Sequence, residues 1–412
     1  MSAKAGKPLS LFQQKRTMKS KNFIAALIVV LALAINSASA YAMNLGKFIV
    51  DPYLGFQTVY DDNVYALDQN RVHDWYFLTS PGILLKLGRW DNTVELEYRA
   101  DIYRYVDTGD FNDVEDHFMR AGAGFKLSRL SFKVNDLATR GHESRQQVNA
   151  AITGPGLNRY WSNDASAGAA YELTAKTKVG LSYDNYFIDY SIASLGFQDR
   201  MDNGVTGSFF YSITPKTSLV AEGIYRNVHH DQDTPEANRL NSNEYWAMAG
   251  VTWDITAKST GTIKVGYEWK QFGAGRKNFD SPVYQVYIDH KFTAKTAVRL
   301  EGLRQANETD DPRVDYYTVT SGSLTFIYNP LIKWELKPYV SAVNDRYSGE
   351  LTVDGDTARR SDLLFAEGID VTYTMNKWVS FTLGYKHTKR SSNLPFYDFT
   401  DNIAAVGLKA QL

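Results

Sequence analysis

Four near-identical tetrapeptides punctuate the middle of the chain: Thr174-Ala175-Lys176-Thr177, Thr214-Pro215-Lys216-Thr217, Thr256-Ala257-Lys258-Ser259 and Thr293-Ala294-Lys295-Thr296. Successive copies start 40, 42 and 37 residues apart. Short polar segments at Gly88-Arg89-Trp90-Asp91-Asn92, Ser128-Arg129, Asn329-Pro330 and Met375-Asn376-Lys377 extend the series to eight. Composition of this kind marks tight turns. Between consecutive turns lie two segments of alternating polarity joined by a longer hydrophilic stretch, the pattern of hairpins whose two ends face different surroundings.

The alternation has the two-residue period of a strand. Val94, Leu96, Tyr98, Ala100 and Ile102 interleave with Glu95, Glu97, Arg99 and Asp101, and Ile263, Val265, Tyr267 and Trp269 with Lys264, Glu268 and Lys270. One face suits lipid and the other water. A two-layer sandwich would alternate as well, and the tryptophans separate the two folds. Trp90, Trp253, Trp334 and Trp378 fall near short turns, and Trp75, Trp161, Trp246 and Trp269 near long loops. Tryptophans at both strand ends make two interfacial girdles, whereas a sandwich buries them at strand centres.

After residue 42 no run of 18 apolar residues occurs, so helices cannot span a membrane here and a closed barrel can. Eight short turns join sixteen strands, and one more is needed at each end, near residues 53–60 and 402–412. The expectation is an all-β fold: a transmembrane antiparallel up-and-down β-barrel of about eighteen strands, with both ends and all short turns in the periplasm.

Residues 1–22 carry Lys4, Lys7, Lys15, Arg16, Lys19 and Lys21 and no acid; an apolar run follows from Phe23 to Ile35, then the small residues Ser37-Ala38-Ser39-Ala40-Tyr41-Ala42. This reads as a signal peptide over 1–42, cleaved after Ala40 or Ala42, ahead of a barrel over 43–412 in the outer membrane of a Gram-negative cell. Removing six of the 45 Lys and Arg leaves 39 against 46 Asp and Glu. An acidic, aromatic-rich chain with no basic stripe is not built for nucleic acid. Cysteine is absent, which excludes disulfides and thiolate metal sites.

Motifs for catalysis are missing as well: there is no Gly-x-Ser-x-Gly elbow, P-loop or His-Glu-x-x-His. His229-His230 with Asp231 and Asp233, and Asp116-His117, are the histidine-carboxylate clusters a rim enzyme would use, but each reads better as solvated loop chemistry. Two acidic loops, Asp107/Asp110/Asp113/Glu115/Asp116 and Glu308/Asp310/Asp311/Asp315, offer oxygen ligands without the spacing of a calcium loop. No metal, cofactor or catalytic residue is expected. Outer-membrane lipid and lipopolysaccharide are the expected surroundings of such loops.

The loop over 139–162 is locally basic, with Arg140, His142, Arg145 and Arg159 against Glu143. It is either a constriction folded into the lumen, where Arg140, Arg145 and Arg159 would attract anionic groups, or a surface loop. The strand parity places Glu95, Glu97, Arg99, Asp101, Tyr103, Tyr186, Lys264, Glu268, Arg299 and Glu301 on the lumen side. Charges of both signs imply a hydrated interior with no strong ion preference.

At Tyr60-Asp61-Asp62-Asn63-Val64-Tyr65, Ser80-Pro81-Gly82-Ile83, Leu96 through Tyr105, Asp110-Phe111-Asn112-Asp113 and Arg200-Met201-Asp202-Asn203, the chain resembles the predicted β-barrel porins of exopolysaccharide gene clusters. The resemblance implies a conduit that exports an exopolysaccharide or capsular polysaccharide together with a periplasmic polysaccharide-export lipoprotein and an inner-membrane co-polymerase. A general diffusion porin for small solutes is the alternative. The final segment, Ala404 through Leu412, looks like the signal read by the barrel-assembly machinery, although it ends in Leu where that signal usually has Phe or Trp.

Overall fold

The computed structural model describes residues 43–45, 48–89, 92–146, 156–231, 240–256, 258–273, 276–309, 311, 313–353 and 355–412. The expected signal peptide, Trp90, Asp233 and Asp310 lie outside them. A three-residue strand, β1 (Met43–Leu45), precedes the wall. The wall is β2 (Phe48–Asp61), β3 (Asp74–Arg89), β4 (Asn92–Tyr105), β5 (Val114–Leu127), β6 (Leu130–His142), β7 (Arg159–Glu172), β8 (Thr177–Tyr190), β9 (Arg200–Thr214), β10 (Thr217–His230), β11 (Ser242–Thr256), β12 (Ser259–Phe272), β13 (Phe279–Lys291), β14 (Thr296–Asn307), β15 (Tyr317–Tyr328), β16 (Trp334–Val353), β17 (Asp356–Thr374), β18 (Val379–Ser392) and β19 (Phe399–Gln411).

Every neighbour in the wall is antiparallel, and β19 pairs back onto β2 through Ala404 opposite Tyr60 and Leu408 opposite Phe56. Eighteen strands therefore close with no free edge, the only way a sheet satisfies its backbone in lipid. All eight expected short turns join strands at one end of the barrel.

The repeated tetrapeptide is explained by its hydrogen bonds. Thr174 Oγ1 accepts the N–H of Lys176 and of Thr177 at 3.1 Å, Thr214 Oγ1 accepts that of Lys216 at 3.2 Å, and Thr293 Oγ1 that of Lys295 at 3.0 Å. A threonine at the first position thus holds the tight turn. The lysine carbonyl then accepts an N–H from the end of the next hairpin: Ser212 to Lys176, Asp254 to Lys216, Lys291 to Lys258 and Asn329 to Lys295. One residue type closes the turn and the next ties adjacent hairpins together.

Outward positions are apolar and exposed, as at Leu181 (63 %), Val265 and Val406. They end at a ring of tyrosines on strands leading toward the long loops. Tyr183 Oη donates to Asn203 Oδ1 (2.6 Å), Tyr225 to Asn243 (2.9 Å), Tyr267 to Asp280 (2.5 Å) and Tyr385 to Asn402 (2.9 Å), while Tyr98 Oη shares a hydrogen bond with His117 Nδ1 (2.9 Å). Each tyrosine stands six or eight residues from the start of its strand. That leaves an apolar band close to the roughly 25 Å expected of such barrels. Trp75, Trp161, Trp269 and Trp334 are exposed on the outer wall, as girdle residues should be. Trp246 corrects the expectation: it is buried inside the barrel with Met248 and Val283, because its even position in β11 points inward.

Candidate functional site

Strand register puts all ten expected lumen residues on the inner face, and most are engaged by the wall itself. On β4, Glu97 accepts the Tyr53 hydroxyl at 2.6 Å and lies 3.7 Å from Arg120, Arg99 pairs with Asp101 at 3.2 Å over the Phe118 ring, and Glu95 pairs with Lys86 at 3.0 Å. Tyr103 packs edge-on against His142, and Tyr186 lies beneath the Arg200 guanidinium. Lys264 binds Glu222 at 2.6 Å, Arg299 forks onto Asp289 at 2.9 and 3.1 Å, and Glu301 accepts from Ser323. Glu268 is fully buried and accepts the Ala306 N–H at 3.0 Å, so it cannot meet a solute.

Hollows lie along the bore among the described residues. One of about 450 Å³ is lined by Tyr53, Gln57, Glu97, Arg99, Asp101 and Lys409. Another of about 600 Å³, toward the short turns, is lined by Glu95, Lys126, Lys133, Asn135, Ser182 and Ser208.

Residues 143–146, at the start of the third long loop, reach into the bore at the loop end. β6 runs on to His142 and β7 begins at Arg159, so the loop is 143–158 rather than 139–162. Gln146 is held against the inner faces of β18 and β19: its amide donates to Asp401, its Oε1 accepts from Lys386 Nζ at 3.2 Å, and its carbonyl accepts from Arg390. Arg145 lies over the Tyr65 ring of the first loop at 4.7 Å and donates to Asn112 of the second at 3.3 Å. Burial lowers the Arg145 pKa from its ordinary value, with Tyr65 and Tyr105 acting in the opposite direction. The three expected constriction arginines therefore part company. Arg145 is inside, whereas Arg140, opposite Trp161 and His117, stands on the outer wall with Arg159. Continuing the strands by a few residues at each end brings those two under strand parity.

The Tyr60–Tyr65 motif seats this loop. Asn63 is buried: its amide donates to Leu67 O at 2.7 Å and Thr400 O at 2.8 Å, its Oδ1 accepts the Leu67 N–H at 3.0 Å, and its N–H goes to Asp61. Tyr60 packs on Trp75 in the outer girdle, but Tyr65 supports Arg145.

On the other side of the bore the loop end is filled. β16 and β17 form a hairpin of 20 and 19 residues where a long loop was expected. Arg360 forks onto Asp362 and is sandwiched between the Tyr397 and Tyr347 rings at 3.4 and 4.7 Å, beside Val314, Leu351 and Leu394. Lys270 is 0 % exposed and binds Glu244 at 2.5 Å, with Glu308 beside it. Charges buried this way persist because each is paired and hydrogen-bonded.

The acidic loops bind the protein's own groups. Asp113 accepts the Tyr105 N–H, Glu115 pairs with Arg104, Asp116 with His142 at 2.9 Å, Asp311 with Arg313 and Asp315 with Arg276. Asp116 and His117 point to opposite faces and form no dyad. Sequence reasoning missed Gln146, Lys386, Arg390 and Asp401, whose meeting depends on a loop crossing the bore.

The family model described as "Putative beta-barrel porin 2" matches residues 39–412. The chain belongs to that porin family. It is an outer-membrane barrel, with the long loops on the external side. No curated protein matches it. Among solved structures it is similar to OpdL of Pseudomonas aeruginosa (12 % identity, 89 % of this chain and 100 % of that one, TM-score 0.46). It is also similar to OpdK of the same organism (10 %, 88 % and 99 %, 0.47) and to OccAB4 of Acinetobacter baumannii (11 %, 88 % and 98 %, 0.45).

Proposed function

We propose that this porin is a passive channel for small hydrophilic solutes, with the third loop as its constriction. The clasp on Gln146 by Lys386, Arg390 and Asp401 carries the reading. It draws the start of the loop into the bore at the loop end, where the opposite side is filled by the Arg360 and Lys270 clusters. Tyr53, Glu97, Arg99, Asp101 and Lys409 then offer a solute both charges and an aromatic face next to that crossing. Wall-bound partners such as Asp101 for Arg99 and Tyr53 for Glu97 keep these charges fixed, so the lining guides without trapping.

Export of an exopolysaccharide with a periplasmic partner, which the sequence resemblance implies, would need Arg145 and Gln146 to leave their places before a polymer could pass. The two readings differ in planar bilayers. A solute channel conducts in small discrete steps with no partner present; a silent barrel that opens only with an export lipoprotein would overturn the proposal.

A further inference from the structure

The Tyr–acceptor unit of the outer boundary occurs five times, and one copy differs in what surrounds it. In four copies the acceptor is Asn203, Asn243, Asp280 or Asn402. In the fifth it is His117, and above it the outer wall of β4 to β7 opens into a cleft of about 570 Å³. Arg104, Glu115, His117, Arg140, Arg159 and Trp161 line it.

Arg104 is paired with Glu115. Arg140 and Arg159 are exposed, and among the described residues neither has a carboxylate partner; Arg159 donates only to the Asp113 carbonyl at 3.4 Å. Asp189, exposed beside Trp161, is a further acid on this face, and Asp113, whose carboxylate accepts the Tyr105 N–H, also lines the cleft. Arg140 and Arg159 thus bring two guanidinium groups, neither paired with a carboxylate among the described residues, to the edge of the apolar band. Arg140 lies one outward position above the tyrosine boundary and Arg104 three above it. Exposed Trp161 marks the same level as the membrane interface.

We propose that this cleft binds the phosphorylated headgroup of the outer-leaflet glycolipid, lipopolysaccharide. Guanidinium forks match phosphate oxygens two at a time. Below the arginines Ala121, Ala138 and Ala165 leave the wall shallow, and Asp136 and Asn163, hydrogen-bonded to each other at 2.9 Å, share that outward face. The site is independent of what passes through the lumen.

The test uses the folded full-length barrel in detergent, with bisphosphorylated lipid A as probe and native mass spectrometry counting retained lipid. Wild type retains lipid A, and the double variant Arg140→Gln/Arg159→Gln loses about tenfold in retention, as expected for two charge-assisted contacts. Arg140→Lys/Arg159→Lys restores part of it. Lipid A stripped of its phosphates binds wild type no better than it binds the glutamine variant. Equal retention by the glutamine variant, no recovery with lysine, or equal binding of the dephosphorylated lipid overturns the proposal. Displacement of lipid A by an equal concentration of inorganic pyrophosphate also overturns it, since the cleft would then be a free-anion site.

Discussion

Lys386 Nζ on β18 reaches Gln146 Oε1 at 3.2 Å across 240 residues of sequence. This contact joins a loop leaving β6 to a wall six strands away around the barrel. It holds the first residues of that loop inside the barrel, and the proposed constriction depends on it.

Removing the clasp should loosen the loop without harming the wall. A hydrogen bond to a charged group contributes about 1.5–3 kcal/mol, and about 1.4 kcal/mol is a factor of ten in an equilibrium. Lys386→Ala should therefore raise the population of the wider state about tenfold. Single-channel recordings would show more frequent, longer openings to a higher level; unchanged traces would place the restriction elsewhere.

Arg145 sets charge at the crossing. Arg145→Glu changes the local charge by two units, so reversal potentials in a salt gradient should move toward cation preference. Arg140→Glu, on the outer wall, should leave them unmoved, and an equal shift in both variants would contradict the placement of the two arginines.

The Arg360–Asp362 pair is a stability matter. Arg360→Ala leaves the buried Asp362 carboxylate with only the more distant Arg390, 4.0 Å away, and should cost about 3 kcal/mol in urea unfolding, whereas Arg360→Leu/Asp362→Leu should recover part of it. A small loss in the single variant would mean that water reaches Asp362.

The tyrosine boundary predicts a depth profile on β18. Leu383→Arg lies inside the apolar band and should cost about 2–4 kcal/mol, while His387→Arg lies just above it and should cost about 0–1 kcal/mol. Folding titrations into vesicles measure both, and equal costs would move the boundary.

Much of this was legible in the sequence because it is local. The Thr-x-Lys-Thr turns close through a hydroxyl two or three residues from its partner, and alternation along each strand assigns inner and outer faces. The same rule fails where a strand end is misjudged. Ending β6 four residues early makes Arg140 a loop residue, and nearness to a loop places Trp246 in the girdle although its parity turns it inward. Long-range closure was not legible at all. Nothing near Gln146 in the chain indicates Asp401, 255 residues on, and Tyr65 became a support for Arg145 only once the first and third loops met.

The central claim is most directly tested by solute permeation into liposomes carrying the purified barrel alone. Monosaccharides and disaccharides should enter and swell the vesicles, long dextrans should be excluded, and Lys386→Ala should admit larger oligosaccharides than wild type. Vesicles that stay impermeable to small sugars, or that admit long polymers through the wild-type barrel, would contradict a loop-constricted solute channel.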